Sequence, residues 1–129
     1  MRYRCSEPER IQDIRELVMR ASRLFDDKVA FKEIGRDKQV VEYTYKQLEQ
    51  DRNALGTRLM ELNMGGYHFA LISENSIAWV LSYLSIVGGV GVAVPLDKEL
   101  MADNIAELLK HSDSDVVICS ETYLPMIIS

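Results

Sequence analysis

Hydrophobic and polar positions change their spacing within the most apolar stretch of the chain, residues 67–97. From Ile77 to Leu96 this stretch carries no charged side chain. Its first half has apolar residues at helical spacing: Ile77, Val80, Leu81, Leu84 and Val87. After Gly88 and Gly89 they recur at every second position: Val90, Val92 and Val94. The change of period predicts a strand at about 67–72, a helix at about 76–87 and a strand at about 90–94, which together form a βαβ unit.

An uncharged run of this length is also a candidate for a transmembrane helix. Each of its three glycines, Gly88, Gly89 and Gly91, would cost a continuous helix about 1 kcal/mol, and Pro95 about 3 kcal/mol. Each Ile, Leu or Val returns only about 0.3–0.6 kcal/mol at the centre of a bilayer. This balance favours a buried helix and strand over a membrane span, so the chain is not expected to be transmembrane.

The chain before this stretch predicts a helix and a hairpin. Ser6, Pro8 and Glu9 form a helix-start pattern, and residues 1–7 are expected to be disordered. The apolar stripe of this helix is Ile11, Ile14, Val18, Ala21 and Phe25. The hairpin has one strand at Val29–Ile34, a turn at residues 35–38 and a second strand at Gln39–Thr44.

Thr44 and Gln47 have the spacing of a capping box, which predicts the start of a second helix. Its buried side is expected to contain Leu48, Leu55, Leu59 and Leu62. Arg52 interrupts this stripe, so its stem is expected to lie along the apolar surface with its charge in water.

After the βαβ unit the pattern predicts a helix over Ala102–His111, a strand over Val116–Cys119 and the start of another helix from Ser120. Ile105, Leu108 and Leu109 should form the core side of the helix. The whole order predicts an α/β fold: a parallel sheet with helices on both faces, plus an N-terminal helix and a β-hairpin.

Composition indicates one globular domain or part of one: 129 residues, 47% hydrophobic and 27% charged. The net charge of −5 and the lack of a basic run argue against nucleic acid as a partner. The N-terminus lacks the apolar segment of a signal peptide, so a cytoplasmic protein is expected. Cys5 and Cys119 lack metal-site spacing and are expected to be reduced thiols.

No residue is assigned as catalytic, cofactor-binding or metal-ligating from local chemistry. The glycines at 88, 89 and 91 follow a helix and open a strand, whereas phosphate loops follow a strand and open a helix. His68 and His111 lack ligand partners at metal-site spacing, so a structural role is expected for both. Trp79 is expected in the core.

Three motifs, taken in order, resemble the adenylate-forming superfamily. Residues 43–48, Tyr-Thr-Tyr-Lys-Gln-Leu, are similar to its first core motif, and residues 85–97, which end in Val-Pro-Leu-Asp, are similar to its second. Between them, residues 73–76 and Trp79 are similar to its asparagine-led turn into a helix. The run from Val94 to Leu100 resembles bacterial long-chain fatty-acid–CoA ligases most closely.

The resemblance implies that residues 1–129 are the incomplete N-terminal portion of an AMP-binding domain. The parent enzyme would use ATP, magnesium and CoA to convert a carboxylic or fatty acid to an acyl-adenylate and then to a thioester. The family's phosphate loop, adenine- and ribose-binding segments and catalytic lysine lie downstream, so this chain alone is expected to be inactive and to hold no cofactor. Its expected partners are the rest of the parent and, through exposed surfaces, a second copy. The alternative is a free-standing α/β binding or interaction module.

Overall fold

The computed structural model describes residues 9–128, which form five α-helices and five β-strands. In chain order these are α1 (Ile14–Phe25), β1 (Val29–Ile34), β2 (Val40–Thr44), α2 (Tyr45–Glu61), β3 (His68–Ile72), α3 (Ile77–Ser85), β4 (Val92–Pro95), α4 (Ala102–His111), β5 (Val116–Cys119) and α5 (Leu124–Ile128). A π-helical turn over Ile86–Val90, called the glycine turn below, joins α3 to β4. Residues 1–7, for which disorder is expected, and Cys5 among them lie outside the described part.

The strands form two sheets, an antiparallel β1–β2 hairpin and a parallel sheet in the order β4-β3-β5. In the parallel sheet His68 lies opposite Val92, and Phe69 lies opposite Val116. The chain therefore passes from β3 to β4 on one side and returns across β3 to reach β5 on the other. The α/β class, the parallel sheet flanked by helices, the N-terminal helix and the hairpin are all confirmed.

The core is centred on β3, because both faces of this strand are covered. Phe69 and Leu71 point to one face and Ala70 and Ile72 to the other, and all four are 0–1% exposed. Phe69 and Leu71 pack in one cluster with Leu59 of α2 and with Ile86 and Val90 of the glycine turn. An apolar run buried on both faces is typical of the central strand of a parallel sheet.

Trp79 packs against this core cluster but is only partly buried. Its ring stacks on Tyr83 at a centroid distance of 5.5 Å. No helix within residues 9–128 combines the length and the apolar character needed to cross a membrane.

The first helix begins later than the sequence pattern indicates. Residues 9–12 are not helical, and the N-cap is Asp13, whose carboxylate accepts a hydrogen bond from the Glu16 amide at 2.7 Å. Aspartate is as good an N-cap as serine, so Asp13 supplies the helix start that was predicted at Ser6. Ile11 precedes the helix and is exposed.

The capping box of α2 is confirmed: the Thr44 side chain accepts from the Gln47 amide, and the Gln47 side chain accepts from the Thr44 amide. Leu48 and Leu59 are buried, but Leu62 is exposed because it lies just past the helix end. The expectation that Arg52 reaches water is wrong, since the whole residue is only 4% exposed. Its guanidinium is held inside by Glu49 at 3.0 Å.

The glycine turn explains a shift in the predicted boundaries of the βαβ unit. The α-helix ends at Ser85 rather than near 87, and β4 starts at Val92 rather than near 90. Gly89 has a φ of 125°, which favours glycine. A Cβ atom on Gly91 would lie 2.2 Å from the Tyr67 carbonyl oxygen, so this close backbone crossing also requires glycine. The prediction of a tight helix-to-strand turn is confirmed.

Helix α4 at Ala102–His111 and strand β5 at Val116–Cys119 follow their predicted bounds, whereas α5 begins at Leu124 rather than at Ser120, since residues 121–123 form a turn. On α4, Ile105 is 1% exposed, whereas Leu108 is 39% exposed and does not belong to the core side. Cys119 in β5 has a free thiol.

Candidate functional site at the carboxyl edge of the sheet

The carboxyl ends of β3 and β5 meet where the strand order of the sheet reverses. In open α/β sheets, ligands bind outside the carboxyl ends of the strands at such a position. A pocket of about 100 Å³ lies here. Its lining combines apolar residues of β3, α3 and β5 with four serine hydroxyls and a thiol: Leu71, Ala78, Trp79, Ile118, Ser73, Ser76, Ser82, Ser120 and Cys119.

Three of the four serines are already bonded to the backbone. Ser76 is the N-cap of α3, and its hydroxyl accepts from the Trp79 amide at 3.1 Å. The Ser73 and Ser82 hydroxyls each donate at 2.8 Å to a backbone carbonyl, of Glu74 and Ala78 respectively. These bonds use part of the hydrogen-bonding capacity of the three hydroxyls, and those of Ser73 and Ser76 shape the loop after β3.

Glu74 is an exposed carboxylate beside the pocket. Hydrogen bonds from the Thr122 hydroxyl and, second, the Ser120 hydroxyl lower the pKa of Glu74 from 4.5 to about 2, and the charge of Arg36 adds to this effect. Thr122 is the larger of the two causes, and the Ser120 Oγ is a buried atom without a geometrically defined hydrogen-bond partner within residues 9–128. We therefore regard Thr122 as the main partner. At neutral pH Glu74 is ionised and is not a general acid.

A second carboxylate, Glu33, links the hairpin to the start of α3 near this edge. Glu33 of β1 accepts a hydrogen bond from the Ile77 amide at 2.7 Å, in the first turn of α3. The negative charge is favourable there because it faces the positive end of the helix dipole. Glu33 thus ties the hairpin to the βαβ unit.

The two histidines occupy structural positions. The His68 amide donates to Asp115 at 2.8 Å, and its ring Nδ1 lies 2.7 Å from the Ser112 carbonyl oxygen, so the ring anchors β3 to the α4–β5 loop. His111 is exposed at the last turn of α4. Residues 9–128 hold no group of three or more His, Cys, Asp or Glu side chains that could bind a metal.

Sequence patterns did not reveal Glu33, Glu74, Ser120 or Thr122, because their roles depend on contacts between distant segments. One sequence signal for the location of the site was present, since polar residues directly follow β3 and β5. The carboxyl ends of parallel strands lie at one edge of the sheet, so these residues are expected close together. The resulting edge can hold a small, largely apolar group. It lacks a nucleophile paired with a base in the described part of the chain.

Comparison with known proteins identifies the chain at the family level. A profile described as AMP-binding enzyme matches residues 18–128. The N-terminal domain of FACL13 from Mycobacterium tuberculosis is 25% identical, with a TM-score of 0.82 over 92% of this chain and 30% of that one. A fatty acyl CoA synthetase of Mycobacterium tuberculosis is 24% identical, with a TM-score of 0.77 over 90% of this chain and 23% of that one.

Among curated proteins, tyrocidine synthase 2 of Brevibacillus parabrevis is 30% identical over 76 residues, which are 58% of this chain and 2% of that protein. The chain therefore spans less than a third of either solved structure and a small fraction of this relative. Because the profile covers almost all of the described residues and the fold agrees with the solved domain, the chain belongs to the AMP-binding enzyme family.

Proposed function

We propose that the chain is the N-terminal scaffold portion of an AMP-forming acyl-CoA synthetase. In this proposal the parent enzyme joins a carboxylate to ATP, which gives an acyl-adenylate and pyrophosphate, and the thiol of CoA then displaces AMP. The observation that carries the proposal is the family match over residues 18–128, together with the likeness to an N-terminal domain three times as long.

Within this proposal the chain supplies structure rather than chemistry. The described residues do not fit a magnesium site, since they hold no cluster of metal-binding side chains. Three of the four serine hydroxyls at the carboxyl edge are bonded to the backbone. No reaction step is assigned to these residues, and ATP and CoA would be bound by other parts of the parent.

The test compares two proteins: the 129-residue chain and the full open reading frame of its source gene. ATP–pyrophosphate exchange is measured for both with a panel of carboxylic acids. Exchange is expected only from a longer reading frame. Exchange by the chain alone would contradict the scaffold role. A stop codon directly after Ser129 would exclude the parent enzyme and favour a free-standing α/β binding module.

A second candidate is amino-acid activation, which the match to tyrocidine synthase 2 favours. Peptide synthetases and CoA ligases both form acyl-adenylates but differ in the acid and in the final acceptor. The panel therefore contains fatty, aromatic and amino acids. The release of AMP that depends on added CoA is measured separately. Exchange with amino acids alone, without CoA-dependent AMP release, would contradict the proposal of an acyl-CoA ligase and support a peptide synthetase.

We also propose that the isolated chain self-associates through the hairpin. Ile34 and Val40 lie opposite each other and are 74% and 57% exposed, which leaves an apolar patch on an open two-stranded sheet. Light scattering over a range of concentrations should show dimers or larger species, and Val40→Lys should reduce them. Leu24→Lys, at a position 75% exposed on α1, is the matched control. A monomer at all concentrations would contradict this part.

A cytoplasmic location is the last part of the proposal, because ATP and CoA are the expected substrates. Fractionation of the source cells with an antibody to the chain tests it. Recovery in a membrane or secreted fraction would contradict it.

A further inference from the structure

The pocket at the carboxyl edge has a lining and a size that restrict the ligands it can hold. None of the described residues that line it is charged, and Leu71, Ile118 and Trp79 give it a mostly apolar wall. Its volume of about 100 Å³ is smaller than the roughly 150 Å³ of a dry apolar cavity that binds benzene. Because this pocket also opens to solvent, it can hold one ring with an edge in water.

Trp79 supplies the aromatic part of the wall. Its ring stacks on that of Tyr83, with the centroids 5.5 Å apart and 4° between the ring planes. The residue packs against the core cluster but is only partly buried. An indole that is not fully covered offers a surface on which a further aromatic ring can pack edge to face or offset. The pocket therefore favours an aromatic ligand.

Three serine hydroxyls of the lining keep unused hydrogen-bonding capacity, since a hydroxyl has one donor and two acceptor positions. Ser76 accepts from the Trp79 amide, which leaves its own O–H as a donor. Ser73 and Ser82 donate to carbonyl oxygens, which leaves their lone pairs as acceptors. Ser120 also lines the pocket, but its Oγ is buried and is not assigned a ligand contact. A ligand hydroxyl can both donate and accept, so it matches this lining.

Two carboxylates near the pocket disfavour an anionic ligand. Glu74 follows Ser73 in the loop, and its pKa of about 2 keeps it ionised at neutral pH. Glu33 accepts from the Ile77 amide and so already occupies the positive end of the α3 dipole. Arg36 lies near Glu74 but is not part of the pocket lining. A ligand carboxylate would therefore meet like charges and lose water without gaining a cationic partner in the lining.

From this arrangement we propose that the pocket binds a small uncharged ligand made of one aromatic ring and a hydroxyl, of which phenol is the simplest. The ring packs against Trp79, and the hydroxyl bonds to the serine hydroxyls of the lining. Phenol is uncharged at neutral pH because its pKa is about 10. Toluene has nearly the same shape without the hydroxyl, and benzoate carries the charge that the pocket disfavours. The three compounds separate the effects of ring, hydroxyl and charge.

An NMR titration of the isotopically labelled chain with each compound at neutral pH tests the proposal. The sequence contains one tryptophan, so the indole N–H signal of Trp79 reports on this pocket without overlap. We expect saturable shifts of this signal with phenol and with toluene. Benzoate should bind at least about tenfold more weakly than phenol, because one unfavourable charge interaction of about 1.4 kcal/mol is a factor of ten.

Two variants and a control locate the binding. Ala78→Leu adds a larger side chain to the lining and should weaken both phenol and toluene about tenfold or more. Ala106→Leu makes the same change at an exposed position of α4 outside the lining and should leave both affinities unchanged. Ser82→Ala removes one hydroxyl that helix α3 does not require. It should weaken phenol about two- to tenfold and leave toluene unchanged.

Four outcomes would overturn the proposal, with circular dichroism showing that each chain is folded. The first is the absence of a saturable shift with phenol in the wild type. The second is an affinity for benzoate equal to or above that for phenol. The third is full affinity for phenol in Ala78→Leu. The fourth is a ratio of phenol to toluene affinity that is the same in Ser82→Ala as in the wild type.

Discussion

Strand β3 and the β1–β2 hairpin have similar apolar content but are held in different ways. Ile72 of β3 is fully buried, whereas Ile34 of β1 is 74% exposed. Both faces of β3 are covered by packing, while the hairpin is only partly buried and is linked to the start of α3 by the bond from the Ile77 amide to Glu33. An apolar strand is thus buried only where other elements cover it.

The largest expected effect tests this contrast with two isoleucines. Ile72→Ala should lower the free energy of unfolding by about 2–5 kcal/mol, because it leaves a cavity in the core. Ile34→Ala should change it by no more than about 0.5 kcal/mol. Urea denaturation measures both. Equal losses at the two positions would show that the hairpin is packed as tightly as β3.

The next effect concerns the backbone crossing beside β3. Gly91→Ala would place a Cβ atom 2.2 Å from the Tyr67 carbonyl oxygen, which is fixed backbone. We expect a loss of about 1–3 kcal/mol from overpacking. At Gly65 the nearest atoms belong to the flexible Met60 side chain, so Gly65→Ala is the matched control with a smaller loss. The midpoints of thermal unfolding of the two variants measure the difference. Similar midpoints would be evidence against a close backbone crossing at Gly91.

A smaller effect is expected at the link between the two regions. Glu33→Ala removes the acceptor for the Ile77 amide at the start of α3 and should cost about 1 kcal/mol, as for an N-cap. Glu42→Ala on the neighbouring strand removes only a surface pair with Lys32, at 2.7 Å, and should cost less. Hydrogen exchange at Ile77 should accelerate in the first variant alone. Unchanged exchange there would mean that the hairpin is held by other contacts.

The smallest effect is the pH dependence of Glu74. Its pKa is about 2 in the folded chain against an ordinary 4.5, so its contribution to stability is present above pH 4.5 and is lost as the pH falls toward 2. Thr122→Val removes the main hydrogen bond and should return the pKa toward 4.5. An NMR titration of the Glu74 carboxyl measures this shift. A pKa that stays low in the variant would assign the effect to Ser120 or to Arg36 in the hairpin turn.

Local patterns were sufficient to predict most elements but few of the contacts between them. The bounds of β1, α4 and β5 and the capping box at Thr44 follow from residues that are neighbours in sequence. The burial of Arg52 could not be predicted, because the room for its side chain is left by Gly88, which is distant from it in sequence, although its partner Glu49 is a neighbour on α2. For the same reason the candidate site at the carboxyl edge was not predicted, since it forms only when β3 and β5 become neighbours.

The strand order β4-β3-β5 also sets an order of events during folding. His68 and its partner Val92 are separated by 24 positions in the chain, while Phe69 and its partner Val116 are separated by 47. Closing the second loop costs about 0.6 kcal/mol more, since each doubling of loop length adds roughly that amount. The β3–β4 pair should therefore nucleate the sheet. The segment from α4 onward would dock later and be the first part of the sheet to open.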